Sequence, residues 1–191
     1  MTRSAIIASA QYDTLDAAYF PKNGTIADID LYLSLEGLGA DDTYSKLYMD
    51  FVKAKTFKDK HTLIFSADLG LNLNNEIPFY DEYTLGGFLQ MTGYPKDKLR
   101  GQSMASASLI YYYRLKKLPF ASSWLKNVYV GGSLETGNAW IDKKKMSFEK
   151  LHYGGSLFVG LDTLIGPIYM GYGIADRSDN GDFFLYLGQI F

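Results

Sequence analysis

Apolar and polar residues alternate with a period of two along almost the whole chain. In residues 25–36, for example, Ile29 and Leu31 fall on one face while Asp28 and Asp30 fall on the other. This period is typical of a β-strand with unlike faces and excludes amphipathic helices. It predicts eight strands, at about 25–36, 44–56, 61–73, 102–115, 127–140, 150–162, 167–175 and 182–191, and leaves a further strand over 4–13 open.

The strands are of the length that crosses a bilayer at a tilt, and the turns alternate between short and long. The longest connection is the loop at 74–101. Mean hydropathy is −0.10, yet the chain has 16 Tyr and 12 Phe. A membrane barrel explains both values, because only alternate residues meet lipid and aromatic girdles mark its two interfaces. We therefore predict an all-β antiparallel transmembrane barrel of eight or nine strands, a single domain over 1–191.

A soluble β-sandwich or lipocalin-like barrel also has alternating strands. Against it, the polar face carries Asp30, Asp50, Asp68 and Glu135 in mid-strand, where a dry core would leave carboxylates unpaired. Such residues suit a wet lumen, and the membrane barrel is the favoured interpretation.

Composition narrows the function. The net charge of −2 offers no basic surface for nucleic acid, and the absence of cysteine excludes disulfides and thiolate metal sites. Residues 1–13 lack the long apolar core of a secretory leader, so we expect a chain whose leader is absent. His61 and His152 lie outside any catalytic motif, and there is no G-x-S-x-G elbow. We expect no catalytic residues, cofactor or metal.

Several segments resemble the outer membrane protein 85 superfamily, the BamA-like or bacterial surface antigen family. Residues 13–24, DTLDAAYFPKNG, are similar to its D-x-L-D-x-x-x-F-P-x-x-G turn. Residues 77–94 are similar to its long extracellular loop, which returns into the lumen, and GGSLETGNAW and GPIYMGY to later strands. The resemblance covers the chain in order, matches the second half of a family barrel, and is closest to patatin-like outer-membrane proteins, without their periplasmic or patatin domains.

The resemblance implies functional residues position by position. The family turn provides Asp13, Asp16, Phe20, Pro21 and Gly24. The returning loop carries Thr92-Gly93-Tyr94 where the family usually has Arg-Gly-Phe/Tyr, and Glu135 occupies the place of the lumenal acid that pairs with that Arg. The chain therefore lacks the usual guanidinium partner of Glu135. The final strand resembles the C-terminal signal for barrel assembly, carried by Phe183, Leu185, Leu187 and Phe191.

The resemblance implies a Gram-negative outer-membrane location, membrane lipid as a partner and the barrel assembly machinery during biogenesis. Because a half-barrel has unpaired edges, it must close on itself or pair with another copy. Closure as a small eight-strand barrel is the alternative, but its narrow lumen would have to hold the loop at 74–101. We therefore expect a homodimer that completes a larger or intertwined barrel. The expected function is non-enzymatic membrane remodelling, or transport or insertion of protein or lipid. The alternatives are a passive pore and, less favoured, an outer-membrane enzyme acting on lipids.

Overall fold

The computed structural model describes residues 2–115, 125–142, 146–176 and 181–188. One antiparallel sheet contains nine strands in the order β1-β2-β3-β4-β7-β8-β9-β10-β11, and a separate two-stranded hairpin pairs β5 with β6. The strands are β1 Ala5–Asp13, β2 Asn23–Ser34, β3 Tyr44–Phe57, β4 His61–Asn72, β5 Tyr83–Leu85, β6 Leu99–Gly101, β7 Ser103–Arg114, β8 Leu125–Trp140, β9 His152–Thr163, β10 Gly166–Ala175 and β11 Asp182–Leu187.

The architecture is the antiparallel all-β one expected, with a ninth strand in the segment that the sequence left open. β1 pairs with β2 in unbroken register from Ala5 opposite Ser34 to Asp13 opposite Ile26. The sheet does not close, because β1 and β11 are its two edges and do not pair with each other. The described residues therefore form an open, curved sheet rather than a finished barrel. Among them, no helix has the length and apolar character needed to span a membrane.

The two faces of the sheet differ sharply. We call the face that carries Ile29, Phe65, Leu134, Leu157 and Leu185 the outer face, and these side chains are exposed although they are large and apolar. A continuous apolar surface of this kind is abnormal for a protein in water and suits contact with lipid. The opposite, inner face is covered by the protein's own loops.

The inner face has two zones. At mid-height, Asp28, Asp50 and Asp68 lie directly opposite one another on β2, β3 and β4. Nearer the end at which β3 turns into β4, the inner face is instead a packed core of aliphatic and aromatic side chains that includes Val52, Ile64, Ile110, Tyr112, Tyr129, Phe158 and Tyr169. The expectation of a uniformly polar, wet lumen is therefore wrong for this half, because other segments of the chain fill it.

Those segments enter from both ends. The family turn, residues 13–24, inserts Phe20 into this core, while the returning loop, residues 74–101, reaches it from the opposite end with Leu89. Phe20 is stacked on Tyr129 with ring centroids 4.1 Å apart and meets Tyr112 edge-on. Burying these side chains removes water from the inner face and ties the loop and the turn to one core.

The assignment of faces predicts opposite responses to the same substitution. Leu31→Lys places a charge on the outer face and should lower the free energy of unfolding in lipid by about 2–4 kcal/mol. Gln11→Lys should be tolerated, since Gln11 lies on the inner face beside Asp28, 3.3 Å from its Oδ2. Urea titration of folding in lipid vesicles measures both, and equal losses would contradict the assigned faces.

Candidate functional site

The site is the tip of the returning loop, Leu89–Tyr94, held against Glu135 of β8. Glu135 lies on the inner face and is only 4% exposed. The backbone N–H groups of Met91 and Thr92 both donate to Glu135 Oε2 at 2.6 Å, and Thr92 Oγ1 donates to Oε1 at 2.7 Å. Three hydrogen bonds from the loop thus converge on one buried carboxylate.

The backbone of the tip is shaped for that carboxylate. Leu89 and Met91 have φ of 60° and 78°, in the left-handed region that side-chain-bearing residues rarely adopt. Alternating backbone conformations point successive N–H groups into one concavity, which is a common way to bind an anion. The conformation costs roughly 1–3 kcal/mol at each such residue. Charge-assisted hydrogen bonds to Glu135 offset this strain.

Neighbouring hydroxyls orient the carboxylate. Ser133 Oγ donates to Glu135 Oε1 at 2.5 Å and lies 2.7 Å from Ser156 Oγ on the next strand. Thr92 Oγ1 also accepts the N–H of Leu89 at 2.9 Å, which closes the tip on itself. Glu135 thereby accepts four hydrogen bonds, a set of donors that matches an ionised carboxylate.

A second anchor holds Tyr94. Its hydroxyl lies 2.7 Å from His152 Nδ1 on β9 and donates to Asp176 Oδ1 at 2.8 Å just after β10. Burial of the Asp176 carboxyl raises its pKa, but hydrogen bonds from Tyr94 and the Tyr153 backbone, together with nearby His152, outweigh this effect. The pKa of Asp176 therefore lies below its ordinary value, and the group stays ionised for this contact.

Glycine makes the close approach between loop and sheet feasible. Gly93 has a φ of +97°, and a Cβ there would lie 2.3 Å from the carbonyl carbon of Ile174 in β10. On β10 itself, a Cβ at Gly173 would lie 2.3 Å from Cγ2 of Thr92. The tip rests directly on strand backbone, so side chains at these two positions would push it away from Glu135.

The neck of the loop has its own contacts. Lys46 Nζ lies 2.8 Å from Asp81 Oδ2, and Tyr44 Oη donates to the same carboxylate oxygen at 2.6 Å. Tyr83 Oη donates to the Leu47 carbonyl at 2.8 Å. The returning loop is therefore fixed to the inner face at the neck as well as at the tip.

The remaining predicted residues belong to the family turn and to the last strand. In the family turn, Asp13 Oδ1 accepts the Leu15 N–H, Asp16 Oδ1 accepts the Lys22 N–H, and the Pro21 carbonyl accepts the Tyr112 hydroxyl. Gly24 has a φ of +121° as the chain enters β2. Phe183, Leu185 and Leu187 point outward from β11 and are exposed, whereas Phe191 lies outside the described residues.

Sequence reasoning expected Glu135 to lack its partner, and the structure gives it a different one. Its partners are the hydroxyl and backbone N–H of Thr92 and the N–H of Met91. Three features were missed: the Ser133 contact, the Tyr94–His152–Asp176 group and the aromatic surroundings of Phe20. His152 and Asp176 carried no local signal, because they lie 58 and 82 residues from Tyr94 in the chain.

The two histidines and the acidic side chains are the groups that catalysis or metal binding would require here. Within the described ranges, the side-chain hydrogen bonds of His61 and His152 go to tyrosine hydroxyls, and neither histidine is bonded to a serine. No group of three His, Asp or Glu side chains in that part of the chain is arranged to hold a metal ion. The site is a structural contact between a loop and a sheet.

An outwardly apolar antiparallel sheet with an internally anchored loop defines an integral membrane barrel protein of the outer-membrane type. A family model described as the Omp85 superfamily domain matches residues 1–191, and the chain belongs to that superfamily. This membership indicates a bacterial outer-membrane location. The search of curated proteins found no match.

Solved structures support the same fold. The crystal structure of BamA from Haemophilus ducreyi lacking POTRA domains 1–3 superposes with a TM-score of 0.75 at 19% sequence identity. The match covers 95% of this chain and 41% of that one. The chain therefore spans less than half the length of the BamA protein that it resembles.

The loop-tip geometry predicts a graded loss of anchoring. Thr92→Val should destabilise the tip by at least about 1.5–3 kcal/mol, because it removes the hydrogen bond from Oγ1 to Glu135 and leaves the Leu89 N–H without its acceptor. Glu135→Ala should cost more, since it leaves three loop donors without their acceptor. Limited proteolysis within residues 86–98 measures both.

The matched control is Thr84→Val, which removes a hydrogen bond of the same length to Asp97 on the exposed part of the loop. It should leave the tip protected. Equal cleavage of Thr84→Val and Thr92→Val would show that the Glu135 contact does not hold the loop.

Proposed function

We propose that this chain is the membrane-embedded sheet of a non-enzymatic outer-membrane barrel that inserts or transports protein or lipid at its strand edges. The observation that carries the proposal is the filled inner face. The returning loop is bound to Glu135, and its Leu89 shares one core with Phe20 of the family turn. A molecule that crosses the membrane here therefore has to use the edges of the sheet rather than its interior.

This occupancy disfavours the passive-pore alternative. A pore needs a continuous polar path. On the inner face, the polar zone of Asp28, Asp50 and Asp68 ends at the packed core around Phe20. A lipid-acting enzyme is also disfavoured, because neither histidine contacts a serine in the described ranges.

The two edges of the sheet are the parts of the structure that can pair with another strand. One side of β1 and one side of β11 present unpaired N–H and C=O groups. In hydrocarbon each such group costs several kcal/mol, so both edges require partner strands. We propose that a second copy of the chain supplies them, in a homodimeric barrel.

The odd strand number determines how two copies meet. With nine antiparallel strands, β1 and β11 run in the same direction, so a two-fold axis along the membrane normal brings β11 beside the partner's β1 in parallel. If β1 left the sheet, β11 would meet the partner's β2 in antiparallel orientation. That arrangement would break the pairing of β1 with β2 along its full length and the hydrogen bond from Ser9 to Asp30. Parallel pairs are slightly weaker per residue, which suits a seam that opens.

The mass of the detergent-solubilised protein, corrected for bound detergent, tests the dimer. We expect two copies of the 21.4 kDa chain. A single-chain mass would refute the homodimer and leave the partner strands to another source.

An engineered disulfide tests whether the seam is the functional surface. Ala8 on β1 and Leu185 on β11 both face outward near the middle of their strands, and the chain has no cysteine of its own. Ala8→Cys with Leu185→Cys should cross-link two chains. The reduced protein in vesicles should accelerate folding of an unfolded outer-membrane client, the oxidised protein should not, and reductant should restore the activity.

The matched control is Ala8→Cys with Tyr172→Cys, which places the second cysteine one strand away from the seam and should not cross-link. Undiminished client folding by the oxidised seam variant would contradict edge insertion. Ion conductance through planar bilayers without client folding would favour the pore.

A further inference from the structure

An apolar groove of about 780 Å³ lies on the outer face across β4, β7, β8 and β9. Its walls are Leu63, Leu109, Tyr111, Leu134 and Leu157. Its floor is low because Gly132, which has no side chain, faces outward between Tyr111 on β7 and Leu157 on β9. Neighbouring side chains stand out from the sheet around it, and Leu157 is 75% exposed. An elongated apolar chain fits this shape.

One end of the groove is polar and aromatic. His61 lines it, with Nδ1 2.7 Å from Tyr111 Oη and with its ring 4.9 Å from that of Tyr113. This is the end at which β3 turns into β4, opposite the end from which the returning loop enters. Amphipathic rings of this kind gather at the membrane interface, where one side meets hydrocarbon and the other meets headgroups.

At the outward-facing positions of the described strands, positive charge is found only at this same end. Lys53 and Lys55 face outward from β3, and Lys126 lies at the register shift near the start of β8; all three are exposed. Carboxylates on those strands, such as Asp50, Asp68 and Glu135, face inward. Lys55 lies directly opposite Leu63 and Lys53 opposite Phe65, so both lysines adjoin the strand that forms one wall of the groove.

Lysines facing lipid would be costly at mid-membrane, but near the interface their stems lie along apolar surface while the ammonium groups reach the headgroups. Lys55 and Tyr111 are two strand spacings apart, roughly 10 Å, which is within reach of one lipid headgroup and its first carbons. Because the lysines lie at the end of the sheet opposite the entry of the returning loop, they face one leaflet only.

We propose that this surface is a binding site for an anionic glycerophospholipid of the leaflet at this end of the sheet. The phosphate and its acidic headgroup would be held by Lys53 and Lys55, with Lys126 at the far side, and hydroxyls of the headgroup by His61 and Tyr111. One acyl chain would lie in the groove over Gly132, against Leu134 and Leu157. The site depends on the outer face meeting lipid and is independent of client insertion and of the dimer seam.

Native mass spectrometry of the detergent-solubilised full chain tests the charge recognition, with dioleoylphosphatidylglycerol as the anionic probe and dioleoylphosphatidylcholine as the zwitterionic one. We expect the wild type to prefer the anionic lipid. The double variant Lys53→Gln/Lys55→Gln should weaken its binding roughly ten- to thirtyfold, because each lysine near the surface contributes to attraction of anionic lipid. Binding of the zwitterionic lipid should change less than twofold.

The matched control is Lys96→Gln/Lys98→Gln, which removes the same charge from exposed positions of the returning loop, outside the groove lining. It should leave the preference intact. If both double variants bind the anionic lipid equally weakly, the lipid is attracted by the overall charge of the protein and not by this site, and the proposal is wrong. Slower migration on heating in gel electrophoresis verifies that each variant is folded.

A second pair of variants tests the groove. Leu157→Trp keeps an apolar, lipid-compatible side chain but fills the groove, and should weaken binding of both lipids at least fivefold. Ile29→Trp makes an equivalent change on β2, at an exposed outer-face position outside the groove, and should have no such effect. Unchanged lipid binding by Leu157→Trp would overturn the proposed acyl-chain position.

Discussion

Pairing of backbone hydrogen bonds in lipid is the constraint on which the rest of this structure depends. The nine strands of the sheet form eight antiparallel pairs of neighbours. A closed ring would need a ninth pair, between β1 and β11, and that pair is not formed. Because hydrocarbon offers no alternative partner, the sheet is cooperative along its breadth and reactive only at its two edges. Backbone hydrogen bonding therefore stabilises the interior strands, and the same requirement makes the edge strands β1 and β11 bind other strands.

The inner face solves a second problem, which is how to fill a concave surface that no other sheet covers. The chain does so with its own segments, inserting Phe20 from one end and Leu89 from the other. Apolar contacts alone would let the loop slide, since they have little directionality. The buried Glu135 carboxylate adds direction, because its hydrogen bonds are met only when Met91 and Thr92 adopt their strained backbone angles.

The sequence was most informative where a period could be read. Alternation predicted eight strands of the sheet because each strand separates lipid from interior. The segment at 4–13 was left open, although it pairs with β2 along its whole length. The β5–β6 hairpin has three-residue strands, too short for any period.

Family resemblance indicated Thr92 and Glu135, but the atoms that meet depend on loop backbone angles that no local pattern encodes. The sequence predicted a wet lumen and not the packed core around Phe158 and Tyr169, because alternation indicates the face on which a residue lies and not what covers that face.

The neutral donors around Glu135 have a physical consequence for the returning loop. A guanidinium would bring its own charge to the buried Glu135, whereas here the carboxylate is met by two backbone N–H groups and two hydroxyls. Neutral donors bind a carboxylate less strongly than a paired cation does, but they carry no desolvation cost of a second charge. The loop is consequently held by geometry: the short Thr92 side chain needs Gly93 and Gly173 to approach the sheet closely. Anchoring by shape keeps the loop seated on the inner face without burying a second charge beside Glu135.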